Sequence, residues 1–155
     1  MSVKLSAIEI RRITAEETLH LRHKILRPHQ TLKDCQYVGD HLSSTLHLGA
    51  YRANELVGIA TLLNQNAEEN VQFGVWRLRG MAVLENCRNK GVGGALLRAL
   101  IAHFREQGGS RFWCNARTSA VNFYSKFEMS PEGEEFDISP IGPHFVFSLK
   151  SSFEG

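Results

Sequence analysis

The clearest chemical pattern in this chain is a short basic, glycine-rich segment. It reads, in order, Arg88, Asn89, Lys90, Gly91, Val92, Gly93 and Gly94. The glycines remove side chains that would keep a ligand away from the backbone, and they permit positive φ, so successive N–H groups can converge on one point. The arginine and the lysine add two full positive charges. The segment therefore predicts a binding site for an anion, and phosphate oxygens suit it well.

The elements on either side of this segment support the same prediction. A strand-like apolar run covers 75–83, and an amphipathic helical run covers 95–104 and stops at Gly108. The apolar residues at helical spacing are Leu96, Leu97, Leu100, Ile101 and Phe104. A helix that begins here presents unpaired N–H groups and the positive end of its dipole to the anion.

Two widespread phosphate loops are excluded by residue type. No Gly-Lys-Ser/Thr follows the glycines, so the loop of the P-loop nucleotidases is missing. A dinucleotide-binding fingerprint needs a further glycine at position 96, which is Leu96. The segment instead resembles the R/Q-x-x-G-x-G/A loop of the GCN5-related N-acetyltransferase (GNAT) family. The resemblance implies that Arg88–Gly94 binds the pyrophosphate of acetyl-coenzyme A (acetyl-CoA), the family's cosubstrate.

The resemblance extends over about half of the chain, from Val75 to about Met129. Residues 78–84 resemble the family's strand before the loop, whose backbone pairs with the pantetheine arm, and residues 120–127 resemble its A-x-x-F-Y-x-K-L helix. The resemblance assigns these residues to the cofactor: Met81, Ala82, Val83, Arg88, Asn89, Lys90, Gly91, Val92, Gly93, Gly94, Asn115, Ser119 and Phe123.

The chain departs from the family pattern at two places. The position where the family commonly has an asparagine facing the cofactor holds Arg117, and Asn115 or Ser119 is expected to substitute for it. The family's Gly-Phe after the tyrosine helix reads Glu128-Met129, so Glu128 would have to adopt positive φ or the turn would be reshaped.

Acetyl transfer to an amine needs a base for the amine, a donor for the oxyanion and a group that protonates the departing thiolate. The resemblance assigns the last role to Tyr124 and the oxyanion to a backbone N–H near residues 81–83. For the base, Glu85, His47 and His144 are candidates, and a water chain is the alternative. Cys114 could form an acyl-cysteine, but a lone cysteine in an apolar strand is usually a buried hydrophobe, so direct transfer is favoured.

The acceptor is only weakly indicated by the sequence. Arg77 and Arg79 alternate on the central strand and could bind a carboxylate or phosphate, and residues 140–144, with His144, are expected to line the acceptor site. The interpretation is a small-molecule or peptide amine as substrate, with a homodimer left open. A catalytically silent acyl-CoA-binding sensor or interaction module is the alternative function.

Composition predicts one domain over residues 1–155, and the resemblance implies that it is GNAT-like. The chain is 43% hydrophobic with a net charge of +2 and scattered basic residues, which argues against a nucleic-acid partner. Three cysteines without a Cys/His cluster favour a reducing cytoplasm and no metal cofactor. The sequence offers no apolar stretch of membrane-spanning length, so no membrane association or secretion is expected.

The hydrophobic patterns predict an α/β (α+β) fold, in which helices flank a mixed, mostly antiparallel sheet with one parallel crossover at the long helix. Predicted strands cover 3–10, 45–51, 56–63, 75–83, 111–115, 134–138 and 145–149. Predicted helices cover the stretch from a capping box at Thr14 and Glu17 to Pro28, then 95–104 and 119–126. Predicted turns and loops cover 52–55, 64–72 and 140–143.

Overall fold

The computed structural model of the protein describes residues 7–66 and 73–149. The strands are β1 Ile8–Arg12, β2 Leu46–Arg52, β3 Glu55–Asn64, β4 Val75–Val83, β5 Arg111–Arg117, β6 Met129–Ile138 and β7 Gly142–Leu149. The α-helices are α1 Ala15–Leu21, α2 Val92–Glu106 and α3 Val121–Ser125. A π-helical turn, Arg22–Leu26, continues α1, and short 3-10 turns cover Lys33–Cys35, Glu85–Cys87 and Thr118–Ala120.

The described strands form one seven-stranded sheet in the order β1-β2-β3-β4-β5-β7-β6. The pairs β1–β2, β2–β3, β5–β7 and β6–β7 are antiparallel, whereas β4 and β5, which flank α2 in the chain, are parallel. A helix between two parallel neighbouring strands is the usual crossover connection. The predicted fold class and its single parallel crossover are therefore confirmed.

The described chain divides into two compact units. The first comprises residues 7–63 and 79–103, and the second comprises 64–66, 73–78 and 104–149. Strand β4 and helix α2 contribute residues to both. The assignment of the whole chain to one domain stays a prediction.

The first unit is organised around helix α1, the hairpin β2–β3 and the start of α2. The capping box is present, since Thr14 Oγ1 accepts from the Glu17 N–H and the Glu17 carboxylate accepts from the Thr14 N–H. Ala53 and Asn54 have positive φ in the hairpin turn. A Cβ on Gly58 would lie 2.8 Å from Val92, so glycine lets α2 begin close against β3. The five predicted apolar residues of α2 are all buried.

The second unit is built on the pairs β4–β5, β5–β7 and β7–β6. The rings of Phe104 and Phe112 meet edge to face at 5.4 Å, and the ring of Tyr124 on α3 stacks on Phe147 of β7 at 4.9 Å. Strand β6 is at the edge of the sheet, and residues 131–135 are exposed along it. This exposure explains why the sequence predicted only the second half of β6: a polar edge strand lacks an apolar alternation.

Other element bounds shift by a few residues from their predictions. Much of the first predicted strand and most of the predicted loop 64–72 lie outside the described residues, and β1 covers Ile8–Arg12. Helix α2 begins at Val92, not at residue 95, because the glycines enter its first turn. None of the helices in the described ranges is long and apolar enough to cross a membrane.

Candidate active site

The loop that precedes α2 has the conformation expected of an anion-binding turn. Asn89 and Gly91 have φ of +61° and +84°. The Gly91 carbonyl accepts from the Ala95 N–H at 3.0 Å and so starts the helix. Gly91 is exposed, and a Cβ built on it would have no neighbour within 4 Å among the described atoms. The first-turn N–H groups, on Val92 and the two residues after it, lack intrahelical acceptors by construction and are available to a ligand.

Only one of the three glycines uses the positive φ that glycine permits. Gly91 adopts it, whereas Gly93 and Gly94 lie in the first turn of α2 without positive φ, and Asn89 supplies a second left-handed residue in the loop. Asparagine tolerates the left-handed region better than other side chains because its short amide can hydrogen-bond locally. Glycine at 93 and 94 therefore keeps side chains off the helix start and is not needed for the turn.

The charged side chains of the loop are exposed. The Arg88 Nε donates to the Val83 carbonyl at 3.3 Å, and Lys90 is exposed two residues later. The chain just before the loop is anchored by the Leu84 N–H, which donates to Val57 O at 2.9 Å. A phosphate bound at the turn would have the two cations at its rim.

Strand β4 is irregular where the resemblance implies a pantetheine contact. Gly80 has a φ of +62°, one residue before Met81, and so interrupts the extended backbone. Ala82 is buried, and Met81 and Val83 are half-buried. A strand with such an irregularity can direct backbone groups away from a ladder and toward a ligand.

The two arginines of β4 pack on different aromatic rings. The Arg79 guanidinium lies 4.3 Å from the ring centre of Tyr37, whereas the Arg77 guanidinium lies 4.6 Å from the ring centre of Trp113. Arg22 and Arg27 also lie over Tyr37, at 3.8 and 5.2 Å. This cluster could not be predicted from the sequence, because Tyr37 lies in an irregular segment far from β4 in the chain.

Tyr124 is a buried phenol in α3, with 7% of its surface exposed. Its hydroxyl is hydrogen-bonded to Cys114, and the ring of Phe123 meets it edge to face at 5.0 Å. Burial raises the pKa of Tyr124 well above its ordinary value, and the neighbouring Cys114 raises it further. The phenol is therefore protonated at neutral pH and can act as a donor.

Cys114 is unsuited to attack on a thioester. Burial raises the pKa of its thiol to about 12, although the hydrogen bond with Tyr124 and the charge of Arg77 act in the opposite direction. The nucleophilic form of cysteine is the thiolate, which is scarce at neutral pH at this position.

His47, one of the three candidate bases, is fully engaged in structure. Its Nε2 lies 2.8 Å from the Asp40 carbonyl, so Nε2 carries the proton, and Nδ1 accepts from the Thr61 hydroxyl at 2.8 Å. Burial lowers its pKa. No lone pair is left for a substrate, so the structure removes His47 from the candidates.

His144 is arranged differently. It is buried in β7, and its Nδ1 lies 2.7 Å from the Gly142 carbonyl. Because a carbonyl can only accept, Nδ1 carries the proton and Nε2 has the free lone pair of a base. Glu85, the third candidate, is exposed in the 3-10 turn before the segment Arg88–Gly94.

The remaining predicted site residues are at the end of β5 and beyond it. Asn115, Arg117 and Ser119 are all exposed, so each can meet a ligand, and which one replaces the family's asparagine stays open. Glu128 does adopt a φ of +63°, as the missing glycine required. In the described part of the chain, no three His, Cys, Asp or Glu side chains are grouped so as to hold a metal ion.

Comparison with known proteins decides the family. The model of the acetyltransferase (GNAT) family matches residues 9–129. This chain belongs to the GNAT family. It is 37% identical to the uncharacterized N-acetyltransferase YitI of Bacillus subtilis (strain 168) over 139 residues, which cover 90% of this chain and 93% of the relative. The predicted membership is confirmed, and acetyl transfer from acetyl-CoA is the general reaction of this family.

Solved structures support the fold. Escherichia coli ElaA superimposes with a TM-score of 0.75 at 19% identity, covering 93% of this chain and 100% of that chain. The ribosomal-protein-S18-alanine N-acetyltransferase of E. coli superimposes with a TM-score of 0.74 at 16% identity, covering 96% of this chain and 97% of that chain. At these identities the likeness concerns the fold alone.

Proposed function

We propose that this GNAT protein transfers an acetyl group from acetyl-CoA directly to the amine of a small acceptor that also carries an anionic group. The observation that carries the acceptor class is the half-buried guanidinium of Arg79. Among the described residues, no carboxylate or carbonyl is bonded to it, and its contact is the ring of Tyr37. A desolvated cation without an anion favours a ligand that supplies one.

Cofactor binding in this scheme belongs to Arg88–Gly94 and the end of β4. The first-turn N–H groups of α2 and the exposed Arg88 and Lys90 bind the pyrophosphate. Backbone groups near Met81–Val83 bind the pantetheine arm, and one of their N–H groups donates to the oxyanion. The irregularity at Gly80 supports this role, because it changes the strand's hydrogen-bonding direction.

Proton transfer is assigned to two residues of the second unit. The amine nitrogen attacks the thioester carbonyl and gives up a proton to His144 Nε2, the C–S bond breaks, and Tyr124 donates to the departing thiolate. The hydrogen bond at His144 Nδ1 supports this by fixing the tautomer. Phe147 and His144 are three residues apart on β7, so Tyr124, which stacks on Phe147, and His144 lie on opposite faces of that strand.

Direct transfer is supported by the state of Cys114. Its thiol is buried, and a pKa of about 12 leaves almost no thiolate for an acyl-cysteine. Acetyl then passes from sulfur to nitrogen without an acyl-enzyme. The thiolate takes its proton from Tyr124, and solvent carries the amine proton from His144 back to Tyr124.

The test is an amine screen with matched pairs, read as coenzyme A release. γ-Aminobutyrate is compared with n-butylamine, and phosphoethanolamine with ethanolamine. We expect the anionic member of at least one pair to have the higher kcat/KM. Equal rates within both pairs would contradict the acceptor class. Acetyl-CoA binding without turnover of any amine, peptides included, would instead indicate a silent acyl-CoA-binding module.

A further inference from the structure

Tyr37 lies at the centre of the arginine cluster, which consists of Arg22, Arg27, Arg79 and this ring. The three guanidinium carbons lie 3.8, 5.2 and 4.3 Å, respectively, from the ring centre. The face of an aromatic ring is negative and attracts cations within about 6 Å. One ring therefore contacts three like charges that would otherwise repel one another.

The position of Tyr37 is fixed by a buried ion pair beneath it. Arg22 is fully buried and binds both oxygens of Asp40, at 2.7 and 3.1 Å. The same carboxylate accepts from the Tyr37 N–H at 2.9 Å. Gly80 lies close to the edge of the ring that carries the hydroxyl: a Cβ on Gly80 would be 3.0 Å from the Tyr37 ring and 3.2 Å from its hydroxyl. The ring is therefore held from its backbone and along its edge.

The cluster has more positive than negative charge. Asp40 is already bonded by Arg22. Arg27 donates to the neutral Asp34 carbonyl at 3.0 Å, and the Asp34 carboxylate near it is bonded by the Thr31 N–H, so three guanidiniums meet two carboxylates. Burial lowers the pKa of Arg79, and the charges of Arg27 and Arg22 lower it further. An anion next to Arg79 would relieve this repulsion.

We infer that Tyr37 is a positioning residue for substrate selection: its ring holds Arg79 and Arg27 in place for the anionic group of the acceptor. The inference rests on the proposed function and adds a residue that touches neither the cofactor nor the reacting atoms. Tyr37 acts through the two guanidiniums, so it affects binding of the anionic acceptor and leaves cofactor binding unchanged.

The test keeps the shape of the ring and weakens its negative face. Tyr37→Phe is compared with variants that carry mono-, di- and trifluorophenylalanine at the same position. Each added fluorine is expected to raise KM for the preferred anionic amine, and the whole series should raise it about tenfold. The kcat and the KM of acetyl-CoA should stay unchanged. Butylamine should show no trend. Arg105→Gln, an exposed arginine outside the cluster, is the charge control.

A second readout works without turnover. Inorganic phosphate is expected to raise the unfolding temperature of the Phe variant more than chloride of equal ionic strength, and fluorination should reduce that difference stepwise. A flat series in both readouts, or equal trends for anionic and neutral amines, would overturn the inference. If no amine releases coenzyme A from the wild type, the proposed function fails, and the phosphate series alone decides whether Tyr37 organises an anion site.

Discussion

The loop Arg88–Gly94 and the arginine cluster around Tyr37 are both positively charged, but they are built in different ways. The loop offers backbone N–H groups from a turn whose cations are exposed. The cluster offers side chains that are partly desolvated and held on a ring above a buried ion pair. Binding at a backbone site should tolerate most side-chain substitutions unless they alter φ, whereas binding at a side-chain site should weaken when any one of its side chains is replaced. The predictions below test this difference.

The largest effect is expected from Gly91→Val. Valine resists the φ of +84° and covers the N–H groups, so acetyl-CoA affinity should fall on the order of 10²- to 10³-fold in calorimetry. Gly108→Val is the matched control, because Gly108 also has positive φ and no neighbour within 4 Å of a built Cβ. Unchanged affinity in Gly91→Val would remove the loop from the cofactor site.

The next largest effect is expected from Tyr124→Phe, which changes the proposed proton donor and neither of the two charged regions. Tyr124→Phe removes only the hydroxyl and keeps the ring on Phe147, so kcat should fall on the order of 10²-fold with nearly unchanged affinity for acetyl-CoA. Steady-state kinetics with the best amine of the screen measures it. If affinity falls and turnover survives, Tyr124 positions the cofactor; if neither changes, it is structural.

Arg79→Gln should reduce kcat/KM for the anionic acceptor about 30-fold, because it removes a charge-assisted contact from a half-buried site. Kinetics with the matched neutral amine should hardly change. Arg79→Lys restores the charge without the planar fork, so we expect a partial recovery. A loss shared equally by the anionic and neutral amines would make Arg79 structural.

Arg88→Ala should have a smaller effect than Gly91→Val, about 1 to 3 kcal/mol in acetyl-CoA affinity, because one contact is lost and the amides remain. Titration by calorimetry at two salt concentrations measures it, and the difference from the wild type should shrink at the higher one, since the side chain is exposed. An effect larger than that of Gly91→Val would reverse the comparison.

The smallest effect concerns stability. Burial lowers the pKa of His47; burial also opposes ionisation of Asp40, but the bonds from Arg22 and Tyr37 outweigh it and lower the pKa of that carboxyl. Each of the two groups therefore makes its full contribution to stability only at pH values above its ordinary pKa. Stability should be lost as the pH falls below about 6.5 through the lowered pKa of His47, and further below 3.8 through that of Asp40. Denaturant unfolding at a series of pH values measures this loss of stability. His47→Gln should reduce the pH dependence in the range governed by His47, near and below pH 6.5.

Local signals predicted the backbone part of the molecule. The glycines of the loop, the apolar stripe of α2 and the capping box at Thr14 each act over a few residues, so spacing alone revealed them. The fold class followed from the order of these elements. Even the turn at Glu128 could be anticipated from a missing glycine.

The side-chain part of the molecule could not be read in this way. Tyr37 meets Arg79 across 42 positions of sequence, and its segment has no hydrophobic period to place it. The difference between His47 and His144 also depends on which carbonyls face their rings. From residue type alone, both histidines were candidate bases. Only the contacts in the structure show that His47 has no free lone pair and that His144 has one.

The acidic, exposed strand β6 has a consequence for self-association. Among the described strands it is the last of the sheet and has no strand on its outer edge, and such edges recruit strands from other molecules. Pro131 cannot donate to an added strand, and the carboxylates of Glu134, Glu135 and Asp137 would repel the same strand of a second molecule. Strand β6 is thereby protected against edge-to-edge aggregation.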